Sequence, residues 1–248
     1  MITLLRKGQR RYVQRGKQEV WHSFFAEDHP GQFASGFGFL VAFDELKLPP
    51  GDSTEPHSDN EAEVLTYVYK GALSQEDTAG YSGVIYAGEF QRMSTGRIRR
   101  RETSVSRSDW VHIFRISLRP SETGIDREYV QKRFTAAQRR NLLCVVASPD
   151  GRKGSLRIYQ DVLVYSALLE TGRHLVYELT TGRTAWIHVV CGEATLDEVV
   201  LTQGDGVGVM NERSVSLTVQ ENTEMLLVDL GPANLRPWEK TSSEAPRE

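Results

Sequence analysis

The chain has 248 residues, of which 39% are hydrophobic and 25% charged, and its formal net charge is −3 at pH 7. This length and composition predict a globular protein with one large or two modest domains. The slightly acidic balance argues against nucleic-acid binding as the main task, because that usually needs a basic face. The start, M-I-T-L-L-R-K-G, is too short and too soon charged for a signal peptide, and no apolar run approaches the length of a membrane span.

The two cysteines, Cys144 and Cys191, each lie inside an apolar run. Neither stands near a His–Asp pair or in a Cys-x-x-Cys spacing that would indicate a nucleophile or a metal site. We therefore expect buried structural thiols. A reducing, cytoplasmic location fits this cysteine usage.

In chain order, residues 1–16 predict an edge strand followed by a basic loop. The aromatic step from Glu19 to Phe25 contains His22, for which we expect a structural role. A loop from Gly31 then enters a strand that ends at Leu48, where P-P-G-D favours a strand end over a helix.

The next segment alternates aromatic and aliphatic residues, as half-buried strands do. We predict that T-Y-V-Y (66–69) and G-V-I-Y (83–86) pair as two strands of a hairpin with glycine-bearing turns. A cleanly alternating strand, Asp109 to Leu118, should complete the first half, with His112 in its core. Residues 120–140 are polar and are predicted to be a linker, with helical character over 134–140.

The second half repeats short predicted strands from Leu142 to Leu230, separated by glycine-bearing turns. Its histidines, His174 and His188, are isolated, and the sequence predicts no metal site there. From Gly231 onward the chain is rich in Pro, Ser and charge, which is typical of a loose tail.

Polar residues that could bind a metal flank the two strands of the predicted hairpin. Those that could serve as ligands are His57, Asp59, Glu61, Glu63 and Glu102. A small β-barrel places ligands from separate strands in its mouth in this way.

Several ordered motifs carry a resemblance to a known family. They include L-T-Y-V-Y-K-G (65–71), A-G-E-F-Q-R-M-S-T-G (87–96), L-R-P-S-E-T-G-I (118–125) and S-P-D-G-R-K-G-S-L-R-I-Y-Q-D (148–161). The sequence resembles the pirin family, in particular the bacterial pirin-like quercetin 2,3-dioxygenases. The resemblance implies an all-β bicupin, two cupin (jelly-roll) β-barrels in tandem. It places the N-terminal barrel at residues 1–130, the C-terminal barrel with its linker at 131–231, and a flexible tail at 232–248.

The resemblance also implies a metal held by an H-x-H motif before the first strand and an H-S-E motif after the hairpin. Carried over position by position, the first histidine is His57, the second position is Asp59, the third is Arg101 and the carboxylate position is Thr103. Three of the four ligands are thus replaced. A guanidinium has no acceptor lone pair and does not deprotonate, so Arg101 cannot be a ligand.

Two interpretations of these positions remain open. In the first, Arg101 takes the place of the metal and binds Asp59 through its planar fork. In the second, a one-residue bulge brings Glu102 to the carboxylate position, and His57, Asp59 and Glu102 hold a metal. The arginine-rich run 97–101 disfavours a divalent cation in the second case.

The sequence therefore favours a metal-free bicupin that is a small-molecule-binding or regulatory protein. Its predicted binding residues are His57, Asp59, Arg101 and Thr103, its ligand anionic or flavonol-like, and its catalytic residues unknown. A protein partner is a further expectation, whereas nucleic acid and membrane are not. The alternative is a quercetin 2,3-dioxygenase-like enzyme that uses iron or another divalent transition metal. A third hypothesis is metal-independent catalysis with His57 as base and Arg101 as oxyanion partner.

Overall fold

The structure, a computed structural model, describes residues 1–25, 33, 36–57, 62–94, 98–119, 121 and 128–232. Nearly all regular structure is β-strand. The strands of the first half are β1 (Ile2–Leu5), β2 (Arg11–Arg15), β3 (Gln18–His22), β4 (Leu40–Leu48), β5 (Glu63–Lys70), β6 (Ala72–Asp77), β7 (Ser82–Tyr86), β8 (Glu89–Ser94), β9 (Arg100–Ser104), β10 (Val111–Leu118) and β11 (Glu128–Arg133).

A short helix, α1 (Ala136–Arg139), leads into the second half. The strands that follow are β12 (Cys144–Ser148), β13 (Leu156–Arg157), β14 (Val162–Leu169), β15 (His174–Glu178), β16 (Thr184–Cys191), β17 (Glu193–Leu196), β18 (Val199–Thr202), β19 (Gly206–Val209), β20 (Ser214–Val219) and β21 (Thr223–Leu230). Single 3₁₀ turns occupy Lys7–Gln9 and Arg152–Gly154.

The strands form two sandwiches, each with a large and a small sheet. In the first sandwich, a seven-stranded sheet of order β11-β8-β5-β10-β4-β3-β2 faces a three-stranded sheet of order β7-β6-β9. In the second, a seven-stranded sheet of order β1-β19-β16-β21-β14-β12-β13 faces a four-stranded sheet of order β15-β20-β17-β18. The predicted all-β fold of two jelly-roll domains is confirmed, with paired sheets in place of fully closed barrels.

The N-terminal strand crosses between the two sandwiches. β1 is an edge strand, as predicted, but it pairs antiparallel with β19 of the second sandwich, Ile2 lying opposite Val209. The first residues of the chain thus form one edge of the seven-stranded sheet of the second sandwich. The division of the chain into 1–130 and 131–231 stays a prediction.

An aromatic core lies where the two large sheets pack face to face. Trp186 of β16 is fully buried, and its ring centroid lies 4.9 Å from that of Phe24 and 5.3 Å from that of Phe33. Phe43 of β4 and Phe114 of β10 join the same cluster from the first sandwich. Burial of each such ring contributes about 1.5–3 kcal/mol, so this seam is a major source of stability.

Strand alternation sorts β5 and β10 into two faces. Leu65 and Tyr67 of β5 lie in the aromatic core between the large sheets, whereas Val64 and Val68 lie inside the first sandwich. On β10, Arg115 is directly opposite Thr66 of β5. Thr66 lies on the same face of β5 as Val64 and Val68. The fold therefore directs Arg115 into the first sandwich.

The predicted hairpin pairing is wrong. T-Y-V-Y belongs to β5, which pairs with β8 and β10, while G-V-I-Y belongs to β7, which pairs with β6. The cause is Gly71, whose φ of +79° turns the chain from the large sheet to the small one after β5. A Cβ there would lie 3.0–3.1 Å from atoms of Trp110 and Val111. The predicted basic loop contains the strand β2, and the predicted linker contains the strand β11. The helical character predicted over 134–140 is confirmed by α1.

Candidate functional site

The chain around His57 runs beside β9 and brings the predicted site positions to the small sheet of the first sandwich. His57 and Arg100 exchange backbone hydrogen bonds of 3.0 and 2.8 Å. Further along, the hydroxyl groups of Ser53 and Thr103 are 2.8 Å apart. The structure thus places His57 and Thr103 along one strand edge. Asp59 and Glu61 lie outside the described residues.

Strand β9 exposes one predicted site residue and buries its neighbours. The side chain of Arg101 is exposed, whereas Arg100 and Glu102 are 3% and 0% exposed. Alternation along the strand requires this pattern. The guanidinium that enters the first sandwich from β9 is therefore that of Arg100, one residue before the predicted position. The Arg101–Asp59 pair stays a prediction.

Glu102 is the centre of a buried polar cluster, which we call the Glu102 cluster (Gln75, Arg100, Glu102 and Arg115). Arg100 Nε lies 3.2 Å from Glu102 Oε1, and Gln75 Nε2 donates a 3.0 Å hydrogen bond to the same oxygen. Arg115 of β10 forms an ion pair with the other carboxylate oxygen. Both oxygens of this carboxylate are thus held by cations or an amide, from strands of both sheets.

The surroundings of the cluster hold it in place. The backbone N–H of Glu102 donates to Thr54 Oγ1 at 3.1 Å, which ties β9 to the segment before His57. Arg100 Nη1 lies 3.1 Å from Met93 Sδ of the facing β8. Because these contacts span both sheets, the Glu102 cluster is part of the packed interior rather than a mobile surface network.

The Glu102 cluster offers few atoms that could serve as ligands of a metal ion. A divalent metal needs neutral imidazoles and ionised carboxylates, and nearby positive charge opposes it. Here the buried carboxylate is paired with two guanidiniums, and of the three imidazole positions that the sequence resemblance implies, only residue 57 is a histidine. Across the described ranges, no group of three or more His, Cys, Asp or Glu side chains is arranged to hold a metal ion.

A second buried ionic network, which sequence reasoning missed, lies between the two sandwiches. Glu45 Oε2 accepts from Arg10 Nη1 at 2.7 Å, and Glu45 Oε1 lies 2.8 Å from His112 Nε2. Burial alone would raise the pKa of Glu45, but the hydrogen bond from His112 and the charge of Arg10 hold it well below its usual value. His112 therefore lies in the core, as expected, but as the partner of a carboxylate.

Glu63, one of the possible metal ligands, is committed elsewhere. Its Oε2 accepts a 2.9 Å hydrogen bond from the backbone N–H of Tyr159 in the second half, and its Oε1 lies 3.8 Å from Arg92. Burial raises the pKa of Glu63 to about 7, although the bond from Tyr159 and the charge of Arg92 oppose this. No local pattern indicated this role, since Glu63 and Tyr159 are 96 residues apart.

The fold and the site define a bicupin, and comparisons with known proteins identify the family. The family model described as "Pirin" matches residues 6–117, and the model described as "Quercetinase C-terminal cupin domain" matches residues 145–230. The chain is 36% identical over 236 residues to quercetin 2,3-dioxygenase of Escherichia coli (strain K12), covering 94% of this chain and 100% of the relative. The chain belongs to the pirin family.

Solved structures agree with this assignment. The crystal structure of YhhW from Escherichia coli superposes with a TM-score of 0.87 at 34% identity and covers 94% of this chain and 98% of its own. The bacterial pirin YhhW in complex with nickel(II), also from Escherichia coli, has a TM-score of 0.84 at 31% identity and covers 94% and 100%. Divalent metal binding therefore occurs in the family.

In the described part of this chain, no helix is long and apolar enough to cross a membrane.

Proposed function

We propose that this chain is a small-molecule-binding or regulatory pirin in which a buried ion-pair cluster replaces the family's metal. One observation carries the proposal: the carboxylate of Glu102 is held between Arg100 and Arg115 inside the first sandwich. Residues 57, 59, 101 and 103, the family's ligand positions, hold one histidine and no glutamate. The metal's charge is supplied here by guanidinium groups.

Two physical arguments support the loss of metal. A metal that bound Glu102 would have to displace two buried guanidiniums from its carboxylate, which is costly. It would also approach two positive charges at short range in a site of low dielectric constant, where repulsion is poorly screened. Neither cost exists in a site of three imidazoles and one carboxylate.

The ligand proposed for this site is anionic or flavonol-like. Guanidinium groups bind planar carboxylates and enolates through paired hydrogen bonds, which is the chemistry that β9 offers. His57, Asp59, Arg101 and Thr103 remain the proposed binding residues at the strand edge. A protein partner and a cytoplasmic location are part of the same proposal, and the free thiols Cys144 and Cys191 suit a reducing compartment.

Metal content tests the proposal directly. The full chain is expressed with added iron, nickel, copper, manganese and zinc in turn, and bound metal is measured after purification. The Escherichia coli relative solved with nickel(II) is prepared in parallel as the positive control. We expect metal far below one equivalent per chain in this protein and near-stoichiometric metal in the control. Near-stoichiometric metal that disappears in His57→Ala would overturn the proposal.

A quercetin 2,3-dioxygenase-like activity is the second candidate, and the 36% identity to the quercetin 2,3-dioxygenase of Escherichia coli favours it. Oxygen uptake with quercetin, measured with each metal added, separates the two. Uptake at the rate of the relative, abolished in His57→Ala, would establish the enzyme. No uptake above that of a protein-free solution would leave the binding function.

A further inference from the structure

A cleft lies where the linker helix α1 crosses the junction of the two sandwiches. We call it the junction cleft, and its volume is about 380 Å³. Residues that line it include Tyr67, Tyr69, Phe134, Ala136, Arg139 and Glu224. A smaller hollow of about 230 Å³ shares Leu168 and Glu224 with it and extends it toward Cys191. This volume and a position between domains are typical of small-molecule sites.

Buried polar groups form one wall of the junction cleft. Arg139 Nη1 lies 2.8 Å from Glu224 Oε1 and donates to Tyr67 Oη at 3.0 Å and to Ser166 Oγ at 3.1 Å. The hydroxyl of Tyr67 also donates to Glu224. The side chains of Arg139 and Glu224 are each 7% exposed. One corner of the guanidinium therefore anchors three groups drawn from both halves of the chain.

The opposite edge of the same guanidinium is unused. Arg139 Nε is buried and has no hydrogen-bond partner among the described residues, and Nη2 also makes none with them. Nη2 lies 3.9 Å from the Cβ position that a side chain at Gly88 would take, and Gly88 lines the cleft. The Nε–Nη2 edge is the planar fork with which arginine binds a carboxylate through two parallel hydrogen bonds.

The other walls suit a flat apolar body. The ring of Tyr67 stacks on Phe90 with centroids 4.3 Å apart, which fixes its orientation. Phe134, which also lines the cleft, meets Phe90 edge-on with ring centroids 5.6 Å apart. Burial raises the pKa of Glu224, although the hydrogen bonds from Tyr67 and Arg139 oppose this.

We propose that the junction cleft binds a small aromatic carboxylate, with its carboxylate on the Nε–Nη2 edge of Arg139 and its ring among Tyr67, Tyr69 and Phe134. The site is separate from the interior of the first sandwich. It depends neither on a metal nor on the ligand proposed for the edge of β9.

Titration calorimetry of the full chain with benzoate and 4-hydroxybenzoate tests the site, with benzamide as the uncharged control. Ala136→Trp fills the cleft from α1, and Ala137→Trp places the same ring one residue further along, outside the lining. Both alanines are exposed, so neither change removes a buried contact. Ala87→Trp blocks the cleft independently from the β7–β8 turn.

We expect saturable binding of a carboxylate probe, weakened at least about tenfold in Ala136→Trp, in Ala87→Trp and in Arg139→Lys, which keeps the charge but loses the fork. Ala137→Trp should bind as the unmodified chain does, and benzamide should bind at least about tenfold more weakly. Absence of saturable binding to both carboxylates overturns the proposal. So does equal binding by Ala137→Trp and both blocked variants, provided their thermal melts show that all three are folded.

Discussion

The two sandwiches share one architecture but differ in what fills them. The second is packed with aliphatic side chains from both of its sheets, among them Leu196, Leu217 and Leu227. The first contains smaller apolar clusters, such as that of Leu73 and Ile85, and beside them the buried charges of the Glu102 cluster. Buried ion pairs add little net stability compared with apolar packing. The second sandwich therefore gains more stability from its apolar interior, whereas the first keeps buried charged groups among its apolar clusters.

The same contrast holds where the sandwiches meet. From the first half, Glu45 brings a carboxylate bonded to Arg10 and His112. From the second half, His188 brings an imidazole that is fully buried and packs against the ring of Phe43 at 4.5 Å. Burial lowers the pKa of His188 well below its usual value, so this ring is neutral. One half places ionised groups at the seam, and the other places a neutral histidine.

The largest expected effect comes from breaking the Glu102 cluster. Glu102→Leu removes the buried carboxylate that both Arg100 and Arg115 contact, and we expect a loss of about 3–5 kcal/mol in the free energy of unfolding. Urea denaturation of the full chain measures it. The matched variant Arg100→Met/Glu102→Leu/Arg115→Met makes the first interior apolar like the second and should recover most of the loss. A triple variant no more stable than Glu102→Leu would show that the cluster is not an isolated ionic unit.

A smaller, pH-dependent effect is expected at Glu63. Its folded pKa of about 7 lies above its ordinary 4.5, so folding favours the protonated form. The stability that it contributes is complete below pH ~4.5 and is lost as pH rises through ~7. Glu63→Gln should therefore gain on the unmodified chain by at most about 3 kcal/mol between pH 5 and 8.

Paired urea denaturation series across that pH range give the difference between the two proteins, in which the other titrating groups cancel. A difference that stays constant from pH 5 to 8 would mean that Glu63 is ionised throughout. In that case Arg92, 3.8 Å away, would be its true ion-pair partner rather than a weak one.

The fold could be predicted from sequence because its signals are local. Alternating strands, glycine turns and ordered family motifs all indicate β-structure. The prediction of two jelly-roll halves followed from these signals. Which strands pair depends on residues far apart in the sequence. The predicted hairpin pairing was wrong because Gly71 moves the chain to another sheet after β5. The pairing of β1 with β19, across more than 200 residues, has no local signal either.

The candidate site was harder to predict because the hydropathy pattern of β9 does not show which face of the strand is buried. Alternation of apolar and polar residues normally shows which face of a strand is buried. From Arg99 to Ser104 every residue is polar, so no pattern distinguishes inside from outside. The sequence pointed to Arg101 through motif position. The structure instead buries Arg100 and Glu102. The contacts that show this are made with Gln75 and Arg115, which lie on other strands and could not be paired with β9 from the sequence.

The smallest effect, and the sharpest test of this one-residue difference, is a pair of neighbouring substitutions. Arg101 is exposed and lies opposite Glu76 on β6, so Arg101→Ala should cost less than about 1 kcal/mol. Arg100→Ala removes a partner of buried Glu102 and should cost about 3 kcal/mol or more. Both changes delete one arginine from the same strand, so net charge and strand propensity cancel in the comparison. If Arg101 instead binds Asp59 across the interior, the order of the two costs reverses, and the metal position would belong to Arg101 after all.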